Sequence, residues 1–296
     1  MTKRAFFLLA LAAIIWGATA PIMKITLTQV PVFSLAFIRM ALASLILAVI
    51  ISKKLKIERK DIPTFFFAAL TGVSLNLTFF FLGLKLTQAI NASFLIASVP
   101  IFTIVAAHFY LKEKVDLRLS MGAIVAFCGV GLIIGKPQAA GSLGQTFGNL
   151  LLLAASLSWV IHEIIAKKLL KTYDGATIAF YSMAIGSLTF FPLFLFELIK
   201  NPAWVQEVNL SGFVGIVYGI IFASLIAYWA WQKGLSVLPA GQASFFFYLD
   251  PISGATLSIF LLSEKITTNL IAGGLLIAAG VFLAEYHRKS HPLHNN

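Results

Sequence analysis

Ten apolar runs, each close to the length of a membrane-crossing helix, follow one another almost end to end at residues 5–23, 32–52, 63–84, 89–111, 117–135, 147–166, 176–199, 212–231, 239–262 and 267–285. A bilayer core about 30 Å thick calls for about 20 apolar residues per helix, and only short polar stretches separate these runs. The expected fold class is therefore an all-α polytopic membrane protein with ten transmembrane helices. Composition agrees, with 59% hydrophobic residues, 11% charged residues and a mean hydropathy of +0.94. A soluble domain carries about 25% charged residues.

Lys3 and Arg4 precede the first run, as in a signal peptide, but no small-residue cleavage site leads into a polar region, so the run reads as a retained helix. The single cysteine, Cys128, lies inside an apolar run and reads as a small packing residue. The net charge of +11 is explained by placement rather than by nucleic acid. With ten spans, the side that holds the termini collects 16 basic residues and the opposite side 5, while Arg39 stays inside a span, which accounts for all 22. Positively charged loops remain in the cytoplasm, so both termini are expected there.

The chain also repeats itself. Shifting it by 151 residues aligns 83–130 with 234–281 without a gap, matching Ala92, Ser93 and Phe94 with Ala243, Ser244 and Phe245, and Pro100 with Pro251. Glu113 and Lys114 match Glu264 and Lys265, and Gly122 and Gly129 match Gly273 and Gly280. Earlier in each half, Trp16 and Lys24 meet Trp159 and Lys167 at an offset of 143. The expected organisation is a first repeat at 1–136, a linker at 137–146, a second repeat at 147–287 and a cytoplasmic tail at 288–296. Five spans per repeat, an odd number, make the second copy enter the membrane from the opposite face. Such inverted repeats provide two similar gates around one central site.

Together, Trp16-Gly17 in the first run, Arg39 in the second, Asp250-Pro251 in the ninth, and the Glu-Lys step closing the fourth and ninth resemble the EamA-type branch of the drug/metabolite transporter superfamily. The resemblance covers nearly the whole chain, including the duplication. It implies a ten-helix carrier in the cytoplasmic membrane of a bacterium, with cytoplasmic termini, a central cavity between the halves, and export of amino acids or other small metabolites.

Charges inside a bilayer cost about 2.5–3.5 kcal/mol each on insertion scales, so each one retained asks for a partner or a water-filled cavity. Arg39 and Asp250 read either as a buried ion pair or as separate groups for a substrate carboxylate and a substrate amine or coupling proton. Pro251 removes a backbone donor and opens a kink beside Asp250. In the sixth run Ser156, Trp159 and Glu163 share one helical face, with His162 alongside. Glu163 stands four residues before Lys167, the spacing of an ordinary helix-surface pair, and is also a coupling candidate. His162 reads as a proton-coupling or substrate group, or as hydrogen-bonded filler. Among neutral groups, Asn76 and the repeat-equivalents Asn91 and Gln242 are candidates for binding, gating or helix-to-helix bonding.

Of the aromatic cluster in the eighth and ninth runs, Tyr228 joins the substrate candidates and Trp231 is expected in an interfacial belt. A stripe of Gln242, Phe246, Leu249, Asp250 and Ser253 is the expected cavity face. Its aromatic ring beside a carboxylate suits an amino acid, an amine or a lipophilic cation. Gly131 with Gly135, and Gly215 with Gly219, read as helix-packing pairs. No His or acid pair has metal-ligand spacing, and no cofactor motif is present.

These features favour a secondary transporter, a carrier of small molecules working by alternating access with membrane lipid as its other partner. An intramembrane enzyme lacks a visible nucleophile with a base, and ATP-driven transport lacks a phosphate-binding loop. A non-transporting scaffold would have no use for inverted repeats, and a channel-like facilitator is weakly supported by the few charges available to line a pore.

Overall fold

The computed structural model describes residues 2–52, 55–111, 117–135 and 143–286. Its helices are α1 (Thr2–Thr26), α2 (Val32–Ile51), α3 (Arg59–Leu86), α4 (Ala89–Leu111), α5 (Leu117–Gly135), α6 (Leu143–Leu169), α7 (Gly175–Lys200), α8 (Leu210–Val237), α9 (Ala240–Leu262) and α10 (Thr268–Tyr286). Eight of these are long and apolar enough to cross a membrane, while α5 and α10 carry the shorter apolar stretches Ile124–Ile133 and Thr268–Gly280. No strand occurs among the described residues. Large apolar side chains such as Val49, Ile50, Phe109 and Phe260 point outward, as they do where the surrounding medium is lipid. The chain is an integral membrane protein. Helix α6 begins at Leu143, inside the stretch expected to be linker. Glu113 and Lys114 lie outside the described residues.

Helix ends bury backbone groups that lipid cannot satisfy, and charged side chains from elsewhere in the chain take that role here. The Glu197 carboxylate accepts from the Phe33 and Ser34 amides at 3.2 and 2.7 Å, capping the start of α2. Glu264 accepts from the Ala89 and Ile90 amides, both at 2.8 Å, and caps α4. At carboxyl ends the polarity reverses. Lys24 donates to the carbonyls of Leu84 and Thr87 at the end of α3, and Lys167 donates at 2.6 Å to those of Leu235 and Leu238 at the end of α8. Helices α7 and α8 carry their own caps, Asp174 accepting from the Ala176 amide and Asn209 from those of Ser211 and Gly212.

The same contacts sort the loops into two faces. The near face, where α1 begins, joins Tyr173 to Asp61, Tyr181 to Leu55 and Lys233 to Asp174. The far face joins Gln29 to Ser211, Thr87 to Asn149, and Glu264 to the start of α4. The main packing pairs are α5 with α10, α2 with α7, α3 with α6, α1 with α8 and α1 with α9. The first two pairs exchange their own members, and α3–α6 exchanges with α1–α8, when each helix is replaced by the one five places away. Close approach of α1 and α9 depends on Gly17, where a Cβ would lie 2.7 Å from the Asp250 carbonyl oxygen. Gly131 meets nothing within 4 Å, so its expected packing role is not found.

Candidate functional site

Between the helices, away from both faces, lies a cavity of about 80 Å³. Trp16 and Thr19 of α1, Arg39 of α2, Asn76 and Phe80 of α3, Val99 of α4, Ser156 and Trp159 of α6, Tyr228 of α8, and Phe247 and Asp250 of α9 all contribute to its wall. Seven residues singled out in the sequence therefore meet here: Trp16, Arg39, Asn76, Ser156, Trp159, Tyr228 and Asp250.

Five aromatic residues, Trp16, Phe80, Trp159, Tyr228 and Phe247, form part of the wall. Trp16 sits at its centre, with ring centroids at 4.9 Å from Trp159, 5.6 Å from Tyr228, 5.3 Å from Trp231 and 5.9 Å from Phe247. Against this wall, two charged side chains are incompletely matched. The Asp250 carboxyl is fully buried and neither oxygen has a hydrogen-bond partner; the Ser93 hydroxyl is near enough to act on it but completes no bond. Arg39 is 2% exposed. Its Nε donates to the Gly219 carbonyl at 3.3 Å and its guanidinium lies 5.4 Å above the Phe81 ring, while Nη1 has no partner. The expected Arg39–Asp250 ion pair is not formed: no salt bridge joins them among the described residues. The Gly219 carbonyl and the Phe81 face hold the guanidinium instead, and a Cβ at Gly219 would lie 2.8 Å from the arginine Cδ.

Other expected residues sit elsewhere. Phe246 packs on Phe6 at 5.6 Å and Gln242 is exposed at the start of α9, so the predicted stripe is not the cavity face. The cause is a 3-10 turn at Phe245–Tyr248. Three residues per turn instead of 3.6 rotate the helix, so Phe247 joins Asp250 on the wall in place of Phe246. Trp231 is fully buried and packs 4.4 Å from Phe247, so it is not an interfacial residue. Asn91 is buried at the far face, donating to Thr87 Oγ1 at 3.0 Å. Glu163 is no helix-surface residue: it is fully buried and accepts from the Thr103 hydroxyl at 3.0 Å, while Lys167 reaches the α8 carbonyls.

His162 lies one turn beyond Trp159, toward the near face and off the cavity wall. Its Nδ1 donates to the Ala68 carbonyl at 2.8 Å, which leaves Nε2 to accept from the Gln232 amide at 3.1 Å. The Ser158 hydroxyl donates to the Thr71 carbonyl and the Tyr228 hydroxyl to that of Gly72, at 2.7 and 2.8 Å. These bonds join α3 to α6 and α8 on the near-face side of the cavity. On the far-face side a cleft of about 660 Å³ opens instead, lined by Phe33, Lys85, Leu151, Glu197 and Glu207 among others.

Two helices lose their regular winding beside the cavity. In α3, Leu70–Leu75 is a π-helix, and in α8 so is Gly219–Ile226. Shifted by 151, the first segment becomes 221–226, inside the second. Such segments free carbonyl groups and are frequent at functional sites. Here side chains from the other half of the chain reach those carbonyls: Arg39 binds Gly219, which also accepts from Ser224 Oγ at 2.7 Å, Trp16 Nε1 binds Ala223 at 3.0 Å, and Tyr228 binds Gly72. Neither π segment was foreseen, since residues 70–75 and 219–226 contain no proline.

A polytopic helical protein with a cavity between its helices and a separate cleft at one face has the build of a membrane transporter. The EamA-like transporter family model matches residues 3–135 and 146–286. The chain belongs to that family. It is similar to an "Uncharacterized transporter" of Archaeoglobus fulgidus, 31% identical over 97% of this chain and 100% of that protein. It is also similar to the "Uncharacterized transporter YetK" of Bacillus subtilis, 26% identical over 96% and 88%. A Streptantibioticus cattleyicolor protein named "Probable terminal-alkyne amino-acid exporter" is 27% identical over 95% and 93%. A chain of known crystal structure superposes with a TM-score of 0.71 at 18% identity, covering 99% of this chain and 100% of that one, and so shares the fold.

Proposed function

We propose that this transporter is a secondary carrier that exports a small amine-bearing metabolite, such as an amino acid, by alternating access of two inverted five-helix halves. The observation that carries this reading is the pair of unmatched charged groups on one cavity wall, the Asp250 carboxyl and Arg39 Nη1. Leaving a charged group buried without a partner is costly, so a ligand bringing an ammonium to Asp250 and a carboxylate to Arg39 supplies what the protein withholds. The rings of Trp16, Trp159 and Tyr228 suit the cationic end of such a ligand. In the absence of ligand, a proton serves Asp250, which makes it the group through which export couples to the proton gradient.

The near face is then cytoplasmic, following the 16 to 5 bias of basic residues. The hydrogen bonds on the near-face side of the cavity and the cleft at the far face support reading this conformation as closed toward the cytoplasm. The exchange of packing partners between helices five places apart, and the two π segments at matched positions, support the inverted repeat. The amino-acid exporter among the relatives supports the substrate class. Purified protein in sealed vesicles tests the reading by counterflow of labelled amino acids, amines and nucleotide-like metabolites. Amino acids or amines are expected to exchange. Failure of all three classes refutes a carrier, and exchange of nucleotide-like metabolites alone refutes the substrate class.

A further inference from the structure

The two π segments are tied to one another through the cavity wall. Gly219 and Ala223, in the α8 segment, have their carbonyls held by Arg39 and Trp16. Two residues beyond that segment, on the same helix, Tyr228 donates to Gly72 in the α3 segment. Arg39, Trp16 and Tyr228 all line the cavity as well. Each therefore presents a ring or a charge to the cavity and a hydrogen bond to a backbone that lacks regular α-helical bonding.

We propose that Tyr228 is the coupling residue between cavity occupancy and the near-face seal, and that the α8 π segment is the joint that moves it. This deepens the two-gated carrier reading and rests on it. A π segment holds one extra residue in its turn, so a small change in how its carbonyls are held lets the helix beyond it rotate. A ligand that draws the guanidinium into the cavity by its free Nη1 pulls Nε from Gly219, leaving that carbonyl to Ser224 Oγ, and a ring seated against Trp16 shifts the indole from Ala223. Either loosens the α8 segment. Rotation of α8 then draws the Tyr228 hydroxyl from Gly72, leaving the α3 segment held by Ser158, by His162 on the preceding turn, and by the Ser74–Thr189 bond to α7.

The Tyr228–Gly72 bond has no copy in the other half. By the 151-residue offset, Tyr228 and Gln232 correspond to Leu77 and Phe81, which carry no hydrogen-bonding group, and the Gly72 equivalent, Ala223, receives Trp16 Nε1 instead. The Tyr228–Gly72 bond therefore belongs to one gate.

The test uses full-length protein in lipid nanodiscs, with Cys128→Ser removing the native thiol and spin labels on cysteine pairs. Arg59→Cys with Ser236→Cys reports the near face, and Lys85→Cys with Gln206→Cys the far face; all four residues are exposed. Distances are read by pulsed electron resonance without ligand, and thermal stability is measured alongside. Removing one buried hydrogen bond changes a population ratio about two- to tenfold. Tyr228→Phe, which keeps the ring, is expected to raise the near-face-open population by that factor. Trp16→Phe is expected to move the same distribution in the same direction. Should Tyr228→Phe not fold, Ser158→Ala frees the adjacent Thr71 carbonyl and is expected to open the same face.

Unchanged near-face distances in Tyr228→Phe, with or without lower thermal stability, overturn the coupling role. A shift in Tyr228→Phe but none in Trp16→Phe overturns the joint in α8. A parent protein with one fixed distance at each face, at every pH and in the presence of every amino acid and amine tried, fails the carrier reading itself.

Discussion

Lys24 and Lys167 make the same contacts at positions that correspond across the chain: Lys24 holds the carbonyls of Leu84 and Thr87, and Lys167 those of Leu235 and Leu238, 151 residues further on. Each ammonium closes the carboxyl end of a helix where four backbone acceptors lack partners. Lys24→Met and Lys167→Met are each expected to destabilise the detergent-solubilised protein by about 1.5–3 kcal/mol, the range for hydrogen bonds to a charged group. The two sites share no partners, so the double variant is expected to lose the sum. Thermal unfolding monitored by tryptophan fluorescence checks this, and two neutral single variants would contradict it.

Glycines with and without neighbours behave differently. Gly17→Ala places a methyl group 2.7 Å from the Asp250 carbonyl, in backbone that cannot yield without parting α1 from α9. It is expected to cost about 1–3 kcal/mol, as overpacking does. Gly131→Ala meets open space and is expected to be neutral or to stabilise by up to about 1 kcal/mol through helix propensity. Melting temperatures of the two variants settle the order, which a lower value for Gly131→Ala would reverse.

The proposed function gives Arg39 two roles, and its variants separate them. Arg39→Lys keeps the charge but gives up the planar fork that binds Gly219 through Nε while offering Nη1 to the cavity. Counterflow of amino acids is expected to fall tenfold or more, about 1.4 kcal/mol, while counterflow of amines without a carboxylate falls much less. Equal losses for both ligand classes would confine Arg39 to holding α8.

Much of the fold was legible because the bilayer imposes it. Runs of about twenty apolar residues require only the length of a helix that crosses the hydrocarbon, and eight helices of that kind are found among the described residues. The meeting of Trp16, Asn76, Trp159, Tyr228 and Asp250 at one cavity followed from polar and aromatic residues at mid-helix depth. What was lost was rotation about helix axes. A single 3-10 turn at Phe245–Tyr248 moved Phe247 onto the wall and Phe246 off it, and periodicity at 3.6 residues per turn has no means of registering that.

Partner choice was equally hidden. Glu163 and Lys167 have the spacing of a surface pair, yet lipid surrounds the bundle, so the carboxylate turns inward to Thr103 and the ammonium to backbone carbonyls. Arg39 and Asp250 face one cavity without joining, because a carbonyl and a ring hold the guanidinium.

The central claim is that the unmatched Asp250 carboxyl is where substrate and proton are handled. Counterflow of the best amino acid or amine, measured from pH 5.5 to 8.5 for the parent, Asp250→Asn and Glu163→Gln, tests it most directly. Asn keeps the size of the side chain and removes its charge. The account predicts that Asp250→Asn loses most of the exchange and all of its pH dependence, while Glu163→Gln, bonded to Thr103 away from the cavity, keeps both. Parent-like exchange and pH profile in Asp250→Asn would contradict it.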